Sequence, residues 1–318
     1  MIKIIIKYCT ILVLLLLSFQ GIAQQDPQYT QYMYNMSIIN PGYATDSGNM
    51  NFGALYRAQW VGSEGGPNTG TFFAHSPLAK KVEAGLSIVH DEIGDVVKET
   101  SVYADFAYVL KVNEKSKISF GIKAGATFFS TNFDGFIYSD ELPDPAFANN
   151  TSKVFPNIGV GTFYFGENYY VGLSSPNLLT TKHLERDQGI VRTGVEAIHY
   201  FITGGYVFNL NENLKYKPAF MARAVSGGAP MAFDITSNFL INNKVELGVG
   251  YRVDDAVSGL INFRISPVVR VGYAYDYTLS NLGRFSSGSH EIMVLFDLGK
   301  NKDKKDDNKG YDKSPRFF

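Results

Sequence analysis

The chain has 318 residues, 45% of them hydrophobic, with 24 Phe, 20 Tyr and 31 Gly. Its 29 basic and 30 acidic residues leave a net charge of −1, which gives no global field to recruit nucleic acid. The single cysteine, Cys9, lies near the amino end, so the remainder has no disulfide, thiolate metal site or thiol nucleophile.

Lys3 and Lys7 precede an apolar run at 10–19, and Gly21, Ile22 and Ala23 come next with the small-residue spacing of a cleavage site. Residues 1–23 are expected to be a secretory signal peptide, with Gln24 the first mature residue. The alternative, a membrane anchor, needs about 20 apolar residues, and this core is shorter. Cys9 precedes the apolar core rather than standing at the cleavage site, so it does not indicate a lipoprotein. Residues 24–49 form a segment ahead of the first strand. Tyr29, Tyr32, Met33, Met36, Ile38 and Ile39 give it an apolar side, so it is expected to sit inside or beneath the strands, as a plug or periplasmic element.

Fourteen strand-length segments come next, at about 50–60, 68–77, 82–91, 100–112, 116–129, 154–165, 168–175, 199–210, 214–224, 230–241, 244–252, 256–265, 267–278 and 289–298. In the fifth, Ile118, Phe120, Ile122, Ala124, Ala126 and Phe128 alternate with Lys117, Ser119, Gly121, Lys123, Gly125 and Thr127. Val245, Leu247, Val249 and Tyr251 alternate likewise with Lys244, Glu246, Gly248 and Arg252. Val269, Val271, Tyr273, Tyr275 and Tyr277 alternate with Arg270, Gly272, Ala274 and Asp276. Successive strand side chains point to opposite faces, so each segment has one oily and one wet face.

The connections sort by parity. Leu78-Ala79-Lys80-Lys81, Asn113-Glu114-Lys115, Gly166-Glu167-Asn168, Asn211-Glu212-Asn213, Asn242-Asn243 and the step at Ser266-Pro267 are tight, with residues that accept turn angles. Those at 91–99, 131–153, 176–198 and 279–288 are longer. An even strand count with short turns at one end and long loops at the other predicts an all-β fold: a closed antiparallel transmembrane β-barrel over 50–299, in an outer membrane. Closure is required because an open edge in lipid leaves backbone groups unpaired. The tight end, with both termini, is expected in the periplasm. Residues 300–318 carry more Lys and Arg than Asp and read as a solvated, disordered periplasmic tail, or alternatively a contact arm.

Chemistry is hard to find. His75, His90, His183, His199 and His290 are scattered, and His290-Glu291 lacks the second histidine of a zinc-protease helix. Neither a nucleophile elbow nor a phosphate loop is present. Asp91, Glu92 and Asp95 fall in an expected external loop as solvated charges, with calcium the rarer use. No catalytic, cofactor or metal site is assigned.

Several motifs together resemble the PorP/SprF family. They are Gln25-Asp26-Pro27-Gln28-Tyr29-Thr30-Gln31-Tyr32-Met33-Tyr34-Asn35, Ile39-Asn40-Pro41-Gly42-Tyr43-Ala44 and Tyr56-Arg57-Ala58-Gln59-Trp60-Val61-Gly62. Pro156-Asn157-Ile158-Gly159-Val160-Gly161, Val171-Gly172-Leu173-Ser174-Ser175-Pro176, Gly272-Tyr273-Ala274-Tyr275-Asp276 and Ser289-His290-Glu291-Ile292-Met293 continue it. The chain departs at Gly42, where the family usually has Ala. The resemblance implies an outer-membrane component of the type IX secretion system of Bacteroidota. Its implied partners are a periplasmic ring lipoprotein and its companion, the C-terminal domain of a large secreted adhesin (including those of gliding motility), and outer-membrane lipid. It carries over no catalytic residues or cofactor. The family-pattern positions are Asp26, Gln28, Tyr29, Gln31, Tyr32, Asn35, Asn40, Pro41, Arg57, Gln59, Trp60, His290 and Glu291. Structural roles suit most of them: Asn40-Pro41 as a turn, Trp60 as an interface anchor, and Arg57 and Glu291 as lumen charges paired across strands. The competing functions are a channel for small solutes or lipids and a lipid-acting barrel enzyme.

Overall fold

The computed structural model describes residues 28–45, 49–134, 150–179, 185–187, 190–192, 197–226 and 230–299. The expected signal peptide, Asp26 and the charged tail lie outside these residues.

A 3-10 turn at Tyr32–Tyr34 and a single helical turn, α1 (Met36–Ile39), precede the strands. The first seven strands are β1 (Met50–Ala58), β2 (Asn68–Ala79), β3 (Val82–Ile93), β4 (Val97–Lys111), β5 (Ser116–Thr131), β6 (Thr151–Gly166) and β7 (Tyr169–Ser175). A separate small hairpin, β8 (Glu185–Asp187) and β9 (Ile190–Arg192), comes after them. The wall resumes with β10 (His199–Tyr206), β11 (Phe208–Asn211), β12 (Leu214–Val225), β13 (Ala232–Ile241), β14 (Val245–Arg252), β15 (Ala256–Arg264), β16 (Val269–Thr278) and β17 (Ser289–Leu298).

Every ladder in the wall is antiparallel, and β1 also pairs with β17 along Met50–Ala58, so the sheet closes. β10 and β11 are two halves of one wall strand, both paired to β12, which makes a fourteen-stranded barrel. The break has a cause in the sequence. Gly205 pairs with Ala219 and Phe208 with Tyr216, so Tyr206 falls opposite Pro218 of the neighbouring strand and Val207 opposite Lys217. Proline has no N–H to give a ladder, so the pairing to β12 lapses at Tyr206, while the Val207 N–H continues the β7 side of the strand to the Asn168 carbonyl at 2.6 Å.

The alternation places side chains as the sequence predicts. On β5, Phe120, Ile122 and Phe128 face outward and are exposed, while Ser119, Lys123 and Thr127 are buried on the inner face. On β14, Leu247 and Val249 are outward and Glu246 and Arg252 inward. An apolar outer belt over a polar inner face fits hydrocarbon outside the wall.

The turns at one end are tight: 80–81, 112–115, 167–168, 212–213, 242–244 and 265–268. Asn242 and Asn243 both adopt left-handed backbone, φ 52° and 51°, as a tight hairpin turn requires. The opposite end carries 59–67, 132–150, 176–198, 226–231 and 279–288. Two connections there are short. The expected long loop at 91–99 is a turn at 94–96, because the ladder continues through Asp91↔Glu99 to Ile93↔Val97. Gly94, at φ 59°, supplies the positive angle. A turn at 253–255 uses Asp254 at φ 58° in the same way.

Candidate functional site

Residues 28–45 run against the inward faces of strands from both sides of the barrel, and most are buried. Four sets of contacts fix them.

The first lies near the long-connection end. Glu291, fully buried on β17, accepts the Thr30 N–H at 2.9 Å and the Gln31 N–H at 2.8 Å, one on each carboxylate oxygen. Arg57, its register partner on β1, reaches Glu291 Oε2 at 3.2 Å, Asp276 Oδ2 at 2.7 Å and the Thr30 hydroxyl at 2.9 Å. Thr30 in turn donates its hydroxyl to Asp276 at 2.6 Å. Arg252 continues the belt with Asp234 at 2.6 Å, and lies 3.9 Å from Asp276. Charges taken this far out of water are retained only when paired and hydrogen-bonded, as here.

The second lies near the tight-turn end. The Tyr34 hydroxyl donates to Glu246, which also accepts from Asn262 at 3.0 Å. Lys217 and Arg270 approach the Tyr34 ring, at 5.1 Å and 5.6 Å from its centroid, so the electron-rich face meets two cations. Burial pushes the Tyr32 and Tyr34 phenols well above the ordinary 10.0, and the Glu246 carboxylate adds to this at Tyr34.

The third set holds α1. Lys123 donates to the Ile38 carbonyl at 2.7 Å and the Ser37 carbonyl at 3.3 Å, with Asp105 at 3.6 Å as its counter-charge. Ser174 donates to the Ile39 carbonyl at 2.8 Å. These carbonyls end a helical turn and have no partner within it.

The fourth returns the chain to the tight-turn end. Asn40 donates to the Thr162 carbonyl at 3.0 Å, and its Oδ1 accepts the Gly42 N–H at 2.8 Å. Ser119 donates to the Gly42 carbonyl, and the Thr45 N–H reaches Glu83 at 2.8 Å. Backbone here meets backbone. A Cβ on Gly42 would come to 2.8 Å from the Gly161 carbonyl carbon, and one on Gly121 to 2.0 Å from the Pro41 oxygen. Gly42, the departure from the family pattern, thus stands where the wall leaves no room for a methyl group.

The family-pattern positions divide. Gln31, Arg57 and Glu291 meet in one cluster; Asn40 and Pro41 form the return; Tyr32 and Asn35 are fully buried. Tyr29 shares a hydrogen bond with Thr71 at 2.9 Å, and Gln28 lines a cavity. Gln59 and Trp60 stay in the β1–β2 connection: the Gln59 N–H bonds the Pro67 carbonyl at 2.8 Å, and Trp60 is left-handed at φ 52°. His290 points the other way from Glu291, its Nδ1 sharing a hydrogen bond with the Tyr273 hydroxyl at 2.7 Å on the exposed face. The site also contains Thr30, Asp276, Glu246, Lys217, Arg270, Lys123 and Glu83, which were not singled out as family-pattern positions. Their signal was phase: each strand member is a charge on the wet face of its strand.

A cavity of about 110 Å³ lies beside the segment, with Tyr29, Ile38, Tyr103, Phe201, Asp91 and Glu99 among its walls. Among the described residues, no group of three or more His, Cys, Asp or Glu could hold a metal ion.

A model of the family "Type IX secretion system membrane protein PorP/SprF" matches residues 21–296. No curated protein matches the chain. Among solved structures, the CymD monoaromatic hydrocarbon channel is similar at 11% identity and TM-score 0.52, covering 88% of this chain and 95% of that one. The TodX deltaS2S3 mutant monoaromatic hydrocarbon channel is similar at 12% and 0.50, covering 84% and 94%. The Acinetobacter baumannii outer membrane protein Omp33 gives 11% and 0.46, covering 79% and 99%. At these identities the likeness concerns the outer-membrane barrel fold alone.

Proposed function

Because this chain belongs to the PorP/SprF family of type IX secretion system membrane proteins, we propose that its outer-membrane barrel serves secretion by binding protein partners, without catalysis. The partners are periplasmic ring proteins, the C-terminal domain of a large secreted surface adhesin, or both. The tight-turn end, where β17 finishes, faces the periplasm and the ring; the longer connections face outward. Residues 28–45 close the lumen as a fixed plug.

One observation supports this reading above others. The segment is tied to the inner wall near both ends of the barrel, by Glu291 and Arg57 at one and Glu246 and Glu83 at the other. A pore for passive diffusion has no use for so many buried contacts across its bore, whereas a docking platform gains rigidity from them.

The test is a pull-down of the tagged protein from native outer membranes in mild detergent. Recovery of ring proteins or of one very large secreted protein is expected; recovery of the barrel alone overturns the partner reading. Loss of the protein should leave at least one large surface protein unexported or shed into the medium. Deleting residues 28–45 should raise single-channel conductance, and unchanged conductance removes the plug.

The second reading, a channel for small solutes or lipids, is favoured by the cavity with its mixed aromatic and acidic walls. It predicts uptake by the intact protein reconstituted alone.

A further inference from the structure

The cavity beside the segment has two chemically different parts. Near the 94–96 turn, Asp91 on β3 and Glu99 on β4 stand directly opposite each other in the ladder, and both line the cavity. Asp91 also accepts a hydrogen bond from the Thr69 hydroxyl on β2. Like charges placed opposite each other on neighbouring strands repel, and a cation held by both relieves the repulsion. Four residues further along β4, about 13 Å at the rise of a strand, Tyr103 brings an aromatic ring to the same wall. Its hydroxyl shares a hydrogen bond with Thr127 at 2.9 Å. Tyr29, Ile38 and Ile39 of the segment, with Phe201 and Met221 of the opposite wall, complete an apolar interior.

We propose that this cavity binds a small amphipathic organic cation, with its ammonium group at Asp91 and Glu99 and its apolar body against Tyr103 and the segment. The basic residues of the wall do not offer an equal site for an anion. Lys123 donates to the Ile38 and Ser37 carbonyls and has Asp105 at 3.6 Å, and Asp234 draws on both Arg252, at 2.6 Å, and Arg223. A bare metal ion is poorly served, because among the described residues no group of three or more His, Cys, Asp or Glu could hold one. An ammonium group with an organic body suits the rest of the wall: aromatic faces attract it, and its carbons gain by leaving water. The volume of about 110 Å³ suits a single ring or a short chain. Because the segment builds one side, the occupant touches segment and barrel together and stabilises their contact. The inference deepens the second reading by naming its ligand class, and it rests on that reading only for access of a solute to the cavity. Failure of uptake would remove the channel and leave the site; failure of binding would remove the site and leave the export reading.

The test is calorimetric titration of the purified full chain in detergent with 2-phenylethylammonium, beside 2-phenylethanol and phenylacetate as neutral and anionic comparators. The ammonium compound should bind saturably and at least about tenfold more tightly than either comparator. Equal binding of the alcohol, or tighter binding of the carboxylate, overturns the proposal. Asp91→Asn combined with Glu99→Gln keeps the shape of both side chains and removes both charges, and should weaken binding by about tenfold or more; unchanged affinity overturns the proposal. Val89→Lys provides an independent variant that leaves both carboxylates in place. It tethers an ammonium group inside the cavity, which Val89 also lines, and should exclude the probe; undiminished binding overturns the proposal. The probe should also slow proteolysis within 28–45, and saturable binding without that protection places the probe elsewhere and overturns the proposal.

Discussion

Arg57 on β1 and Asp276 on β16 form a buried ion pair at 2.7 Å although β17 lies between their strands and 219 residues separate them in sequence. Glu291, on the intervening strand, completes the triad at 3.2 Å from Arg57. The guanidinium spans the width of β17, and Thr30 fills the space in front, bonded to all three side chains.

Arg57→Met leaves two buried carboxylates without this cation. Losing one partner of a buried pair costs about 3–5 kcal/mol, so thermal unfolding in detergent should show a clearly lower Tm. Adding Glu291→Gln to Arg57→Met should recover part of the loss, because the two sites couple; strictly additive effects would mean that the triad is not one unit.

Gly121→Val adds side-chain atoms where a Cβ already comes to 2.0 Å from the Pro41 carbonyl oxygen. The segment must move, at a cost of about 1–3 kcal/mol for overpacking. Faster proteolysis within 28–45, with the barrel itself still folded, is the expected result. Gly259→Ala, where a Cβ meets nothing within 4 Å, is the control and should change nothing.

Asn40→Ala removes the donor to Thr162 and the acceptor for the Gly42 N–H. Unmade buried hydrogen bonds cost about 1–3 kcal/mol, so hydrogen exchange at Gly42 should quicken while exchange in the β16–β17 ladder stays slow. Equal protection at Gly42 in the variant would remove Asn40 from its bracing role.

Tyr32 and Tyr34 give the segment an alkaline limit. Their phenols stay protonated in the folded state well above the ordinary 10.0. Once the pH passes that value the unfolded chain releases protons that the folded chain keeps, so their contribution to stability falls as pH rises. It is fully present well below the ordinary 10.0. Absorbance of tyrosinate should lag in the native protein and rise cooperatively as the segment lets go, and Tyr34→Phe should move that step. A smooth titration at ordinary pH would show the two phenols to be in contact with water.

Much of the barrel was legible in the sequence. Alternation on β5, β14 and β16 told which side chains face lipid, because a strand sends successive residues to opposite faces whatever it packs against. Asn242-Asn243 told of a tight turn because few residues accept two left-handed angles in succession. The strand count and the sorting of most connections came from the same local rules. Two local features were missed: the ladder runs through Asp91 and Glu99 to a turn at Gly94, and one wall strand is interrupted at Val207. The first depended on whether two polar strand ends would pair, and the second on Pro218 in the neighbouring strand.

The site was decided by closure. Arg57 and Glu291 were expected as lumen charges paired across strands, but nothing along the chain brings Asp276, Thr30 and Arg252 to them. That requires β1 to meet β17 and the amino-terminal segment to lie within. His290 and Glu291 are adjacent in sequence and end on opposite faces of the wall, where one meets Tyr273 and the other the buried triad. Local chemistry fixed the strands, their faces and their turns, since each depends on a few neighbouring residues. Which inward charges meet, and which way the segment among them runs, depended on contacts between residues far apart in the chain, and only the closed sheet could set those.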